Sequence, residues 1–98
     1  MNILPSRLLP ADRRVAPTFG VRAERVQLGR DGPVFTATVN GVEQLGASAV
    51  IHLEREGLEL FARSDDRETP GPGDVVGVSF GDRDLRFFES DDGRAVHS

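Results

Sequence analysis

The side chains that could hold a metal ion or exchange protons near neutral pH are scarce in this sequence. It contains two His and no Cys. His52 alternates with apolar neighbours on the polar side of a predicted strand, and His97 is the penultimate residue. A zinc site needs three or four ligands drawn from His, Cys and carboxylate groups. We therefore expect no metal or other cofactor, and we interpret His52 as a solvated or hydrogen-bonded residue.

Carboxylates are plentiful, but their spacing matches no known cation-binding loop. Asp65-Asp66, the pair Asp82 and Asp84, and Asp91-Asp92 all lie in segments rich in turn residues. Calcium loops place alternating oxygen ligands around a central Gly, and that order is missing here. Solvated turns are therefore favoured over a divalent-cation site. A catalytic carboxylate pair would also need a cleft between its members, which a barrel of 98 residues rarely holds.

Phosphate chemistry is limited by the choice of basic residues. All 12 are Arg, so the sequence has no Lys and no Gly-x-x-x-x-Gly-Lys-Ser/Thr loop. We therefore expect this chain not to hydrolyse ATP by that mechanism and not to be an enzyme.

Phe residues could offer stacking surfaces to nucleotide bases, as they do in many small barrels. The candidates for such a stacking surface are Phe35, Phe61, Phe80, Phe87 and Phe88. Phe35, Phe80 and Phe87 fall on alternating apolar rows, which favours core packing. Phe61 and Phe88 are then expected to face outward, because neighbours on a strand point to opposite faces. Exposed Phe on an acidic domain suggests a protein contact more than nucleic acid.

Charge is distributed unevenly along the chain. Residues 1–30 hold six Arg and two acids, a balance of +4, whereas residues 31–98 hold six Arg and fourteen acids, a balance of −8. An acidic body disfavours nucleic-acid binding, which depends on cations that neutralise phosphates. No apolar run reaches the length of a membrane span or resembles a signal peptide. Together with the lack of Cys, this fits a protein of a reducing cytoplasm.

Apolar residues at every second position predict an all-β fold of five or six short strands. The apolar rows are Phe35, Ala37, Val39; Ala47, Ala49, Ile51, Leu53; Leu58, Leu60, Ala62; Val76, Val78, Phe80; and Leu85, Phe87. Residues 1–9 read as an edge strand broken by Pro5, residues 10–18 as a linker and residues 19–22 as a further short strand. We expect a single small OB-like barrel over residues 1–98, closed or nearly closed.

Between the strands, the expected connections are a helical turn at residues 23–28, a loop at 29–33 and a charged loop at 63–73. Asn40-Gly41 is a hairpin signal, yet an apolar segment follows it directly. We therefore expect either a bulge at Gly41 or a turn at Leu45-Gly46. Glu56-Gly57 is expected to turn the chain again.

Several short segments follow one another along the chain. They are Met1-Asn2-x-Leu4-Pro5, Gly20-Val21-Arg22-Ala23-Glu24, Val42-Glu43-x-Leu45-Gly46, Pro72-Gly73-Asp74-x-Val76, Leu85-x-Phe87-Phe88 and Asp92-Gly93-Arg94. In this order they resemble the C-terminal domain of the ATP-binding subunits of sugar-type ABC importers, known as the TOBE (transport-associated OB) domain. Ala23, Asn40-Gly41 and Arg86 depart from the family pattern.

The resemblance implies a regulatory and dimer-contact domain without catalysis, from the carbohydrate-importing branch that handles maltose or glycerol 3-phosphate. Its implied partners are the nucleotide-binding domain of its own subunit, a second copy, the permease indirectly and a regulatory protein or solute. The domain would lie in the cytoplasm beside the membrane without inserting into it, and it would not bind nucleic acid. The expected contact surface comprises Glu43, Gln44, Leu45, Gly46, Phe61, Arg63 and Arg67, with the loop to Pro72.

Two other functions are compatible with the sequence. A related domain class binds molybdate or tungstate through a Ser-x-Arg-Asn-type segment, of which Ser6-Arg7 and Arg63-Ser64 are partial matches. An OB-type barrel could also bind single-stranded nucleic acid.

Overall fold

The residues that the structure describes form eight strands and four short 3-10 turns, and none of them forms an α-helix. A computed structural model describes residues 1–29, 33–65 and 69–89. The strands are β1 (Asn2–Pro5), β2 (Thr18–Val21), β3 (Gln27–Gly29), β4 (Phe35–Leu45), β5 (Ser48–Arg55), β6 (Leu58–Ser64), β7 (Val75–Ser79) and β8 (Leu85–Phe88). The 3-10 turns are Ser6–Leu8, Ala11–Arg13, Ala23–Arg25 and Asp82–Asp84. None of the described helices has the length and hydropathy that a membrane span requires.

The strands form two antiparallel sheets. One has the order β1-β2-β8 and the other the order β3-β7-β4-β5-β6. The all-β prediction is confirmed, but the ladder of the described strands does not close into a barrel. Asn2 bridges the gap between the edge strands β1 and β6: its Nδ2 donates to the Phe61 carbonyl at 2.8 Å, and its Oδ1 accepts from the Phe61 N–H at 2.9 Å. A side-chain amide thus takes the place of a backbone partner.

The core lies between the two sheets and contains the predicted apolar rows. Phe80 packs against Phe19 and Phe35 with ring centroids 5.6 Å and 6.2 Å apart. Phe87 is partly buried against the same cluster, as the alternation predicted. Ala47 is the exception in the rows, because it lies exposed in a turn.

Phe88 corrects the sequence prediction. It does point away from the core, but it is only 8% exposed because its ring lies over Gly20. A Cβ on Gly20 would lie 2.9 Å from Phe88 Cε2 and 2.5 Å from Met1 Sδ. The missing side chain at position 20 therefore makes the space into which these apolar groups pack.

The connections follow the turn chemistry of the sequence. Asn40-Gly41 forms a bulge within β4, where the register shifts between Val39 and Gly41, and the hairpin turn comes later, at Gly46 with φ +64°. Both expected solutions therefore occur together. Glu56 and Gly57 both have positive φ, 52° and 79°, which is typical of a type I′ hairpin turn.

Among the boundaries that differ from prediction, two lie at strands of the five-stranded sheet. The helical turn expected at residues 23–28 ends at Arg25, because Leu28 is taken up by β3 and pairs with Val78. Arg63 and Ser64, expected in a loop, pair with Val50 and Ala49 as the last residues of β6. Hydrogen bonding to a neighbouring strand decided both cases.

Candidate functional site: the outward face of the hairpin strands

The predicted contact residues gather on the outward side of β4, β5 and β6, which we call the hairpin face. Leu60 and Ala62 of β6 point into the core, so Glu59, Phe61 and Arg63 point outward. The register then places their cross-strand neighbours on the same side. The hairpin face comprises Glu43, Val50, His52, Glu54, Glu59, Phe61 and Arg63, with Leu45 at the tip.

An aromatic pair forms the centre of the hairpin face. His52 lies directly opposite Phe61, with ring centroids 4.9 Å apart and planes at 84°. His52 Nε2 is also 3.8 Å from Glu43 Oε2. Phe61 remains 37% exposed, although its backbone is held at both polar groups by Asn2. An exposed ring on a rigid strand is a pre-organised contact, since little side-chain freedom is lost on binding.

The tip of the hairpin continues this surface. Leu45 is 48% exposed, and Gln44 Nε2 donates across the turn to the carbonyls of Gly46 and Ser48, each at 3.4 Å. Arg63 Nη2 lies 3.5 Å from Ser48 Oγ and so links the end of β6 to the tip. The turn residues and the β6 residues, far apart in sequence, therefore form one surface.

Of the seven predicted contact residues, six are described. Glu43, Leu45, Phe61 and Arg63 lie on the hairpin face, and Gln44 and Gly46 shape its tip. Arg67 lies outside the described residues. Sequence reasoning missed Glu59 and Asn2, and it interpreted His52 as a solvated or hydrogen-bonded residue without a place in the contact surface. The alternation of β6 was sufficient to find Glu59, but the contact of Asn2 with Phe61 depends on the tertiary fold.

The carboxylates and the partial oxyanion segment have internal contacts. Arg13 pairs with Asp82, Arg25 Nε lies 3.8 Å from Asp84 Oδ1, and Arg7 pairs with Glu56. The Ser6 hydroxyl donates to the Ala16 carbonyl. Within residues 1–29, 33–65 and 69–89, no three His, Asp or Glu side chains converge as metal ligands would. Asp66 and the Asp91-Asp92 pair lie outside these ranges.

A groove of about 380 Å³ lies at the β3 edge of the five-stranded sheet. It is lined by Leu28, Gly29, Pro70, Asp74, Val75 and Val76. Among the described lining residues Asp74 carries the charge, and its carboxylate already accepts from the Gly71 N–H at 2.9 Å. The described lining therefore supplies no cation for an anionic ligand.

Comparison with known proteins assigns the chain to a protein class. The family model of the TOBE domain matches residues 19–88, so the chain belongs to the TOBE domain family. This match confirms the resemblance inferred from the sequence segments.

Two curated relatives refine the comparison. Over 82 residues the chain is 30% identical to the sn-glycerol-3-phosphate import ATP-binding protein UgpC 1 of Rhizobium johnstonii, covering 82% of this chain and 22% of the relative. It is 27% identical over 81 residues to UgpC 2 of Agrobacterium fabrum, covering 83% and 22%. The chain thus spans about one fifth of the length of these curated relatives.

Proposed function

We propose that this chain is a non-catalytic regulatory and dimer-contact domain of the ATP-binding subunit of an ABC importer for a carbohydrate such as sn-glycerol 3-phosphate. The observation that carries the proposal is the match of most of the chain to one fifth of two proteins named as import ATP-binding proteins. The TOBE match over residues 19–88 supports the same assignment.

The mechanism follows from the rigidity of the strands. The domain joins the nucleotide-binding domain of its subunit and meets a second copy through the hairpin face. The hairpin face is held in one shape by the bulge at Gly41, the turn at Gly46 and the hydrogen bonds from Asn2. A face of fixed shape sets the distance between the two ATPase domains. A regulatory protein or solute that bound the domain more tightly in one state than in the other would favour either the open or the closed arrangement of the two ATPase domains. A ligand shifts such an equilibrium only when its affinities for the two states differ. The domain would work in the cytoplasm, beside the membrane and the permease.

A chimera tests the proposal. The segment of the Rhizobium johnstonii protein that matches this chain is replaced by the chain, and ATP hydrolysis, subunit dimerisation and sn-glycerol 3-phosphate uptake are measured. We expect the chimera to retain uptake and the variant without the segment to lose it. A chimera that hydrolyses ATP but gives no more uptake than the deletion contradicts the proposal.

Phe61→Ser in that chimera tests the contact surface. It removes the exposed ring without disturbing the core, so we expect weaker dimerisation of the subunit. Val15→Ser is the matched control, since Val15 is 69% exposed and lies away from the hairpin face. Unchanged dimerisation in Phe61→Ser would remove Phe61 from the contact surface.

A thermal-shift series separates the alternatives. A ligand that binds the native state raises the melting temperature by linkage. We expect the isolated chain to bind none of ATP, molybdate, tungstate, sugars and an oligonucleotide, so its melting temperature should not rise with any of them. A rise with an oxyanion would favour anion binding, and a salt-sensitive rise with the oligonucleotide would favour nucleic-acid binding.

A further inference from the structure

The order of side chains along β6 is self-complementary. Glu59, Phe61 and Arg63 lie on the outward face two residues apart, which corresponds to about 6.8 Å along a strand. An acid, an aromatic ring and a base therefore follow one another at equal intervals. When such a row meets a copy of itself in the antiparallel direction, ring meets ring and each acid meets a base.

We infer that the hairpin face contacts a second copy of this chain across a two-fold axis at Phe61, with Glu59 of each copy facing Arg63 of the other. A two-fold contact uses the same surface on both copies, so one favourable pair occurs twice. This inference rests on the proposed function for its setting in a dimeric ATPase, and it adds the residues and the register of the contact.

The charges of the isolated chain support this arrangement. The register places Glu54 directly opposite Glu59 on β5 and β6, and like charges in that position are unfavourable. No Arg or His of the described residues pairs within 4.0 Å with either carboxylate. Arg63, at the other end of the row, contacts the Ser48 hydroxyl and no carboxylate of the described residues. A second copy would bring each unneutralised Arg63 to the opposite acid pair.

The centre of the row supplies the apolar part of the contact. Phe61 is 37% exposed and rests edge-on against His52, beside the half-buried Val50. The bond from Asn2 covers the backbone of β6 at Phe61, so the copies would meet through side chains instead of extending the sheet. A small patch of this kind predicts weak self-association of the isolated chain, which a tether to a dimeric partner would strengthen.

Charge reversal tests the register. Sedimentation equilibrium of the 98-residue chain at low ionic strength and rising concentration should show a monomer–dimer equilibrium that added salt weakens. Glu59→Arg and Arg63→Glu each place like charges opposite one another, so each should weaken self-association about tenfold or more. A 1:1 mixture of the two variants should associate at least as well as the wild-type chain, since every facing pair is then of opposite charge. The double variant should likewise recover.

The controls separate this contact from folding and from net charge. Glu59→Arg removes the repulsion with Glu54, so its melting temperature should be unchanged or higher while its association falls. Asp12→Arg and Arg86→Glu make the same charge changes at exposed positions outside the hairpin face and should leave association unchanged.

Three results would overturn the inference. They are a wild-type chain that stays monomeric up to millimolar concentration, a variant mixture that fails to recover, and controls that weaken association equally. Because the experiment uses the isolated chain, its outcome is independent of the uptake measured with the chimera.

Discussion

The two outward-facing sides of the sheets both carry Phe, and they use it in opposite ways. On the three-stranded sheet, Phe88 lies over Gly20 and is buried together with neighbouring apolar groups. On the hairpin face, Phe61 lies edge-on to His52 and stays 37% exposed among charged residues. The same residue type therefore stabilises the fold on one side and is available to a partner on the other, and the neighbours decide which.

Removing the two rings should separate these roles most clearly. Phe88→Ala leaves a cavity over Gly20 and should lower the free energy of unfolding by about 3 kcal/mol. Phe61→Ala removes a ring that is partly solvated and should cost about 1 kcal/mol or less. Urea denaturation of both variants measures the difference. Equal losses in the free energy of unfolding would mean that Phe61 contributes as much to the stability of the fold as Phe88 does.

The space at Gly20 gives the next largest effect. Gly20→Ala places a Cβ 2.9 Å from Phe88 Cε2 and should destabilise the domain by about 1–3 kcal/mol through overpacking. Gly41→Ala is the matched control, because a Cβ there meets nothing within 4 Å and the backbone is not in the left-handed region. Its effect on thermal unfolding should be small, and a comparable loss would point to backbone strain in place of packing.

The bridge from Asn2 to Phe61 links the two regions and should have an intermediate effect. Asn2→Ala removes both partners of the Phe61 backbone and should cost about 1–2 kcal/mol, since buried polar groups lose their bonds. Asn2→Asp keeps the acceptor for the Phe61 N–H and removes the donor. Hydrogen exchange at the Phe61 amide should therefore accelerate strongly in Asn2→Ala and much less in Asn2→Asp.

The smallest effect should come from the acid pair on the hairpin face. Glu59→Gln removes the repulsion with Glu54 and should stabilise the chain by about 0.3 kcal/mol at low salt. The gain should vanish at about 1 M salt, where the Debye length is about 3 Å. Chemical denaturation at both salt concentrations tests this, and a gain that persists at high salt would argue against an electrostatic cause.

Much of the fold was predictable because local patterns agreed with one another. Alternating apolar rows predicted the strands, and Glu56-Gly57 predicted a turn that the backbone confirms. The sequence left open whether the chain bulges at Gly41 or turns at Leu45-Gly46, and the structure contains both the bulge and the turn. The residues of the proposed contact surface were chosen one by one from expected exposure, and their role in a contact stays a prediction. That they lie side by side depends on the pairing of β4 with β5 and of β5 with β6.

By itself, the sequence determined the all-β class, the family and the inward or outward direction of most strand residues, because these follow from side-chain periodicity and short motifs. Only the tertiary structure decided that the ladder of the described strands stays open and is bridged by Asn2, that Phe88 is buried over Gly20, and that Glu59 lies opposite Glu54. These features join residues that are distant in the chain. Their energies depend on close approach across space, which periodicity along one strand does not encode.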